Sequence, residues 1–197
     1  MLMALWLPLI AIIIAGCKKN VSSGPYEVRA YNNGYQFGGI VDGQEFLPQG
    51  YSSFWTTIPA ITSTYWQPSA NGGTERDFYC GFSYYYGGAL NGDILNTIEF
   101  NIKNFIGVGK YSLTELTPPY GYIARAGTYG GYQIDTSGKG KKYFLTDNFG
   151  DSGYVECKRW ANQNDFEFYF KYICRNSVVG DPDVSTKTIE GIVSKKT

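Results

Sequence analysis

The sequence predicts an all-β fold: a single antiparallel β-sandwich or flattened barrel of about ten strands, preceded by an N-terminal segment of a different kind. Three observations carry the β assignment. From Tyr26 onward, apolar and polar residues alternate with a period of two, and no stretch keeps the helical period. Gly, Asn, Asp and Pro cut these runs at intervals of roughly 8–15 residues, the spacing of sandwiches and barrels. The composition is rich in residues that strands favour, with 18 Tyr, 12 Phe and 4 Trp in 197 residues.

The first segment does not belong to that pattern. Leu2 to Ala15 is an almost unbroken apolar run of 14 residues. A membrane-spanning helix needs about 20, so the run fits the apolar region of a secretory signal. No Lys or Arg precedes Leu5. The run ends in Ile14-Ala15-Gly16-Cys17, which resembles the lipobox of bacterial lipoproteins. That resemblance implies cleavage before Cys17 and lipid modification of its sulfur. Lys18 and Lys19 then form a solvated tether near anionic headgroups, and Asn20 to Pro25 reads as a flexible linker. The expected organisation is a signal peptide over 1–16, a lipidated cysteine and tether over 17–25, and one all-β domain over 26–197.

The strands follow in order. Phe78, Cys80, Phe82, Tyr84 and Tyr86 share one face, as do Ile98, Phe100 and Ile102 within Thr97 to Phe105. Asp165 to Arg175 is the clearest case. Phe166, Phe168, Phe170, Tyr172 and Cys174 line one side, and Glu167, Tyr169, Lys171, Ile173 and Arg175 the other. Turn chemistry separates these runs. Asn91-Gly92-Asp93 is a hairpin signal. Ser137 to Gly140 joins Tyr129–Asp135 to Lys142–Thr146, and Ala161 to Asn164 joins Tyr154–Trp160 to Phe166–Arg175. Thr117-Pro118-Pro119 is a loop, because adjacent prolines donate no ladder hydrogen bonds. With Trp160 opposite Asp165, Cys157 faces Phe168 and lies too far along the ladder from Cys174 for a disulfide.

Composition excludes several function classes. Seventeen basic and 17 acidic residues give a net charge of zero, which leaves no basic field for nucleic acid. The chain has no histidine, which removes His-dependent catalysis and makes zinc improbable in the absence of a Cys-x-x-Cys pair. Beside Cys17 stand Cys80, Cys157 and Cys174, an odd number that leaves at least one free thiol or an intermolecular bond. A disulfide involving Cys80 and buried free thiols both remain open. No cofactor is expected.

Several motifs fail on inspection. Gly150-Asp151-Ser152-Gly153 is similar to the active-serine stretch of trypsin-like proteases, but the histidine base is missing; a turn into the Tyr154 strand explains it. Gly107-Val108-Gly109-Lys110 lacks the Ser or Thr and the distal Gly of a phosphate loop and reads as a Gly-rich connection before a strand from Lys110 to Glu115. Asp147 to Asp151 puts Phe149 where a calcium loop needs oxygen. Glu99, Glu156 and Glu167 are the carboxylates that a glycoside hydrolase would need to pair, and nothing in the sequence marks a pair among them.

The aromatic clusters Phe54-Trp55, Tyr65-Trp66 and Tyr84 to Tyr86 sit among Asn, Gln, Ser and Thr. Aromatic faces with polar tips suit wet binding surfaces, and strand cores use the same residues. Trp55, Trp66, Tyr84 and Tyr86 are the candidate ligand-binding residues.

The chain also resembles a family of small Bacteroidota-type lipoproteins whose function is not known. The stretches that carry the resemblance are Val41-Asp42-Gly43-Gln44-Glu45-Phe46, Gly109-Lys110-Tyr111-Ser112-Leu113, Gly153-Tyr154-Val155-Glu156 with Asp165-Phe166-Glu167-Phe168, and Thr188-Ile189-Glu190-Gly191. The resemblance implies an all-β envelope domain and supplies no catalytic residues. The functional expectation is a lipid-anchored, non-enzymatic domain of the cell envelope, with the outer membrane as its expected site, which binds envelope proteins or ligands. A carbohydrate-binding lipoprotein is the alternative.

Overall fold

The computed structural model describes residues 25–52, 57–66, 76–86, 93–113, 127–136, 140–146, 152–176, 182 and 184–196. Cys17 and the expected signal segment lie outside them, as do Trp55 and the Thr117-Pro118-Pro119 loop. Among the described residues fourteen strands are present: β1 (Arg29–Ala30), β2 (Tyr35–Val41), β3 (Gln44–Glu45), β4 (Tyr51–Ser52), β5 (Thr57–Ile58), β6 (Ile61–Trp66), β7 (Asp77–Tyr86), β8 (Asp93–Ile102), β9 (Gly109–Ser112), β10 (Tyr129–Thr136), β11 (Gly140–Leu145), β12 (Gly153–Asn162), β13 (Asp165–Asn176) and β14 (Thr186–Lys196). Ten of them have four or more residues, the number the alternation predicts; β1, β3, β4 and β5 have two each.

Twelve strands join one antiparallel sheet in the order β1-β2-β14-β13-β11-β10-β8-β7-β6, with β12 and β9 branching from β13 and β3 pairing β2. β13 can serve both branches because it is long. β12 occupies its edge from Asp165 to Tyr172, and β11 takes over at Arg175 and Asn176. The sheet curls so that its two limbs face each other. Phe78 of β7 stacks on Phe168 of β13 at 4.6 Å between centroids, and Phe82 stacks on Phe170 at 5.6 Å. Phe37 of β2 meets Phe82 at 4.5 Å. This phenyl layer is the core, and the alternating positions named from the sequence on β7, β8 and β13 fill it: Phe78, Cys80, Phe82, Ile98, Phe100, Ile102, Phe166, Phe168, Phe170, Tyr172 and Cys174 are all buried. Tyr172 reaches furthest. Its hydroxyl donates to the carbonyl of Glu99 at 2.8 Å, and its ring lies where a Cβ on Gly130 would come within 2.8 Å of it.

A short crossing segment closes the curl at one end. Asp42 and Gly43, both with positive φ, turn the chain from β2 into β3. The Phe46 amide then bonds Gly39 O, while Gln49 accepts from the Tyr85 amide and donates to Ser83 O. Residues 46–49 therefore bridge β2 to β7.

Two local registers differ from simple alternation. Cys157 faces Phe168 as expected, but Trp160 faces Phe166 rather than Asp165. Bulges after Cys157 and after Trp160 account for the slip. On β7 the register shifts between Tyr84 and Tyr85. Cys80, Cys157 and Cys174 are free and buried, which leaves no disulfide among them. Burial pushes the Cys157 thiol up to about 12, and it pushes Cys80 and Cys174 up as well.

Candidate functional site

The β2 end of the curled sheet carries a cleft of about 670 Å³. One wall grows from the tight turn Asn32–Gly34, which links β1 to β2. Asn33 and Gly34 have φ of 62° and 76°, a left-handed conformation that Asn and Gly tolerate best. Gly34 also needs to lack a side chain, because a Cβ there would lie 2.5 Å from Lys196 O. The Tyr31 amide donates to Tyr35 O at 2.7 Å and closes the loop. This arrangement presents Tyr31, Asn32 and Asn33 to the cleft.

The opposite wall is the separate two-stranded hairpin β4–β5, where Tyr51 pairs Ile58 and Ser52 pairs Thr57. The Ser52 and Thr57 hydroxyls share a hydrogen bond of 3.3 Å. Pro48 and Pro59, which cannot donate to a ladder, flank the hairpin and line the cleft with Gly50, Ala60 and Ile61. A Cβ on Gly50 would come within 2.7 Å of Ile58 O, so Gly50 allows the hairpin's ends to approach.

Among the described residues, the lining contains no Asp, Glu, Lys or Arg. It offers hydroxyls, amides and two tyrosine rings beside a few aliphatic groups. The Tyr31 phenol is half-buried and its pKa is raised, chiefly by burial, with Arg29 opposing and Glu45 reinforcing. Such a surface can exchange hydrogen bonds with neutral polar groups and stack on flat apolar faces. Among the described residues no group of three or more His, Cys, Asp and Glu gathers to hold a metal ion.

The residues singled out by sequence distribute unevenly around this cleft. Trp55 lies in the connection between β4 and β5, the hairpin that forms one wall, but outside the described residues. Tyr84 pairs Asn96 and bridges to Gln49, next to the lining residues Pro48 and Gly50. It is half-buried against the phenyl core. Tyr86 pairs Asp93, and Trp66 pairs Asp77 at the end of β6; for both, only the backbone is described. Ile61, at the start of β6, lines the cleft. Trp66 is five residues further on, about 17 Å along an extended strand, so the cleft does not gather it. Tyr31, Asn32, Asn33, Tyr51, Ser52 and Thr57 were not singled out by sequence. Asn33-Gly34 carries the same turn signal as Asn91-Gly92 and marks the turn wall.

Of the three carboxylates, Glu99 stands apart, while Glu156 and Glu167 are diagonal neighbours on the paired strands β12 and β13. Glu99 lies on β8, whereas Glu156 and Glu167 lie on β12 and β13, on the far side of β10 and β11 in the sheet order. Glu156 is paired with Lys158 at 2.6 Å. Glu99 accepts a 2.8 Å hydrogen bond from the Tyr79 hydroxyl on the outer face. Gly81 and Gly131 are its cross-strand neighbours. Burial raises the Glu99 pKa, and the Tyr79 hydrogen bond only partly offsets this.

No protein-family model matches the chain, and no curated protein and no solved structure matches it either.

Proposed function

We propose that this protein is a lipid-anchored, non-enzymatic binding domain of the cell envelope, attached through Cys17, and that the cleft between the Asn32–Gly34 turn and the β4–β5 hairpin holds its ligand. The observation that carries the ligand class is the uncharged polar lining. An anionic ligand or a metal calls for fixed charges; a lining of amides, hydroxyls and tyrosine rings favours a neutral, hydroxyl-rich molecule. A glycan fits that description, with pyranose faces on Tyr31 and Tyr51 and hydroxyls on Asn32, Asn33, Ser52 and Thr57. The lipobox-like Ile14-Ala15-Gly16-Cys17 and the resemblance to Bacteroidota-type lipoproteins support the envelope location, with the outer membrane as the favoured site.

Tryptophan fluorescence of residues 20–197, titrated with neutral and charged oligosaccharides, tests the ligand. A saturable response to neutral sugars that weakens at least about tenfold in Asn32→Ala and Tyr51→Ala, a loss of about 1.4 kcal/mol, is the expected result. Absence of any saturable response, or an unchanged affinity in both variants, would remove the cleft from consideration. Separately, radioactive palmitate should label the native chain in a lipoprotein-processing host and not its Cys17→Ala variant.

A further inference from the structure

Two strongly exposed apolar side chains stand close together in the link between β8 and β9, whereas Val184, 78% exposed between β13 and β14, stands without such a neighbour among the described residues. Ile106 is 89% and Val108 65% exposed. Apolar side chains often face water singly, but these two project from a connection that is held firmly. Phe105, immediately before them, is buried, with Trp160 at 4.6 Å and Phe78 at 5.6 Å. Its amide bonds Arg76 O at 2.7 Å, and the Asn104 amide bonds Asp77 Oδ1 at 2.9 Å. The Tyr111 hydroxyl accepts from the Ile106 amide and donates to Gly107 O at 2.7 Å. Asn104 and Gly107 take positive φ to make the corner. The fold thus fixes a convex tip that exhibits two aliphatic side chains.

The charges around this tip are unbalanced. Arg76, Lys103, Lys110 and Lys158 are exposed close to it, at the β7 start, the β8 end and the β9–β12 pair. Among the described residues the neighbouring carboxylates are engaged or face another cation: Asp77 is buried and accepts the Asn104 amide, Glu156, across the ladder from Lys110, is engaged with Lys158, and Glu167 stands opposite Arg159. Lys110 rests its ammonium 3.7 Å above the Tyr154 ring. Lys103 and Lys110 form no ion pair among the described residues. A neutral chain therefore carries an aliphatic wedge inside a cationic collar.

We propose that the β8–β9 tip is a membrane-contact element that inserts Ile106 and Val108 into the interfacial region of an anionic bilayer while Lys103 and Lys110 meet lipid phosphates. Long basic side chains lay their stems on apolar surface and keep their charge at the headgroups, which suits a collar around a wedge. The proposal goes beyond the anchor reading and stands without it. A tether nonetheless permits it: Arg29 lies level with Gly109 through the paired residues Phe37, Val193, Phe168 and Cys157. Eight residues of linker reach roughly 27 Å when extended, and five strand spacings span about 24 Å.

The test measures depth at the tip, so attachment through the N-terminal segment does not obscure it. The full chain carrying Cys17→Ser and Val108→Cys is labelled with an environment-sensitive fluorophore; its remaining native thiols are buried. On phosphatidylglycerol-containing vesicles the emission should shift to the blue and be quenched by lipids with spin labels in the acyl chain. On phosphatidylcholine vesicles both effects should be much smaller. Lys103→Glu with Lys110→Glu should weaken the vesicle response by about tenfold or more, and Lys103→Ala with Lys110→Ala, a milder change, should weaken it less. The same label at Thr62→Cys, exposed on β6, should stay in water throughout. A tip label that remains in water on anionic vesicles overturns the proposal, including the case in which only added envelope protein shields it. So does a Thr62 label that shifts as far as the tip label, since that reports adsorption without orientation.

Discussion

The β12–β13–β14 meander and the edge that carries the cleft are built in opposite ways. β13 pairs β14 through eleven consecutive positions, from Asp165–Lys196 to Arg175–Thr186. One of its faces is an unbroken row of buried rings and Cys174. The cleft edge consists of two-residue strands, a left-handed turn and proline-flanked backbone. The meander therefore supplies burial and long ladders, and the edge supplies few of either. Binding groups belong on the second kind of region, because side chains that hold the core together are not free to meet a ligand.

Substitutions can break or sharpen this contrast. The largest effect is expected at Phe168, which touches Phe78, Phe100, Phe105, Phe166 and Trp160. Phe168→Ala should cost about 3–5 kcal/mol in chemical denaturation. A loss below about 1 kcal/mol would mean that the phenyl layer is not the energetic centre. Gly153→Ala comes next. Gly153 has φ of 129°, and an added Cβ would lie 2.2 Å from Lys171 O where β12 enters its pairing with β13. We expect a loss of about 1–3 kcal/mol together with faster amide exchange along β12.

Two carboxylates test the outer faces by pH. Burial alone would raise the Glu190 pKa, but hydrogen bonds from Lys171 and Tyr169 and the Lys171 charge bring it below its ordinary value of 4.5. Its contribution to stability is therefore complete above that value and is lost as pH falls through the lowered one. Glu190→Gln should flatten the acid limb of the stability curve. Glu99 behaves oppositely: its raised pKa makes the ionised form the unfavourable one in the fold. Its contribution is complete below 4.5 and is lost as pH rises through the folded value. Glu99→Gln should give a small gain in stability at neutral pH and none in strong acid; a loss at neutral pH would show that the ionised pair with Tyr79 is net favourable. The smallest change is expected at the edge, where Tyr51→Ala should alter stability by no more than about 0.5 kcal/mol even as it weakens the ligand.

The two regions were also unequally legible in the sequence. The Phe166-to-Cys174 alternation gives the buried face of β13 directly, because one residue type repeats on one side of a long strand. The bulges after Cys157 and Trp160 leave no such mark, and they move Trp160 from Asp165 to Phe166. The free state of Cys80, Cys157 and Cys174 could only be decided once three-dimensional neighbours were known. The cleft was harder still. Its residues come from a turn, a short hairpin and a bridging segment whose meeting depends on the curl of the whole sheet, so no local period announces it. Trp55 was selected for its ring and lies outside the described residues, between Ser52 and Thr57 in the sequence. Tyr84, selected for the same reason, packs on the core instead.

The strand order has a consequence for the life of the nascent chain. β2 finds its long partner only in β14, and Asp42 bonds the Thr188 amide across 146 positions of sequence. The core therefore cannot be sealed while the last strand is still on the ribosome. Such distant pairing makes folding slow, and a slow folder remains extended for longer. On the export route proposed above, a sheet whose first long strand waits for its last would keep the chain open during passage and complete its fold after arrival.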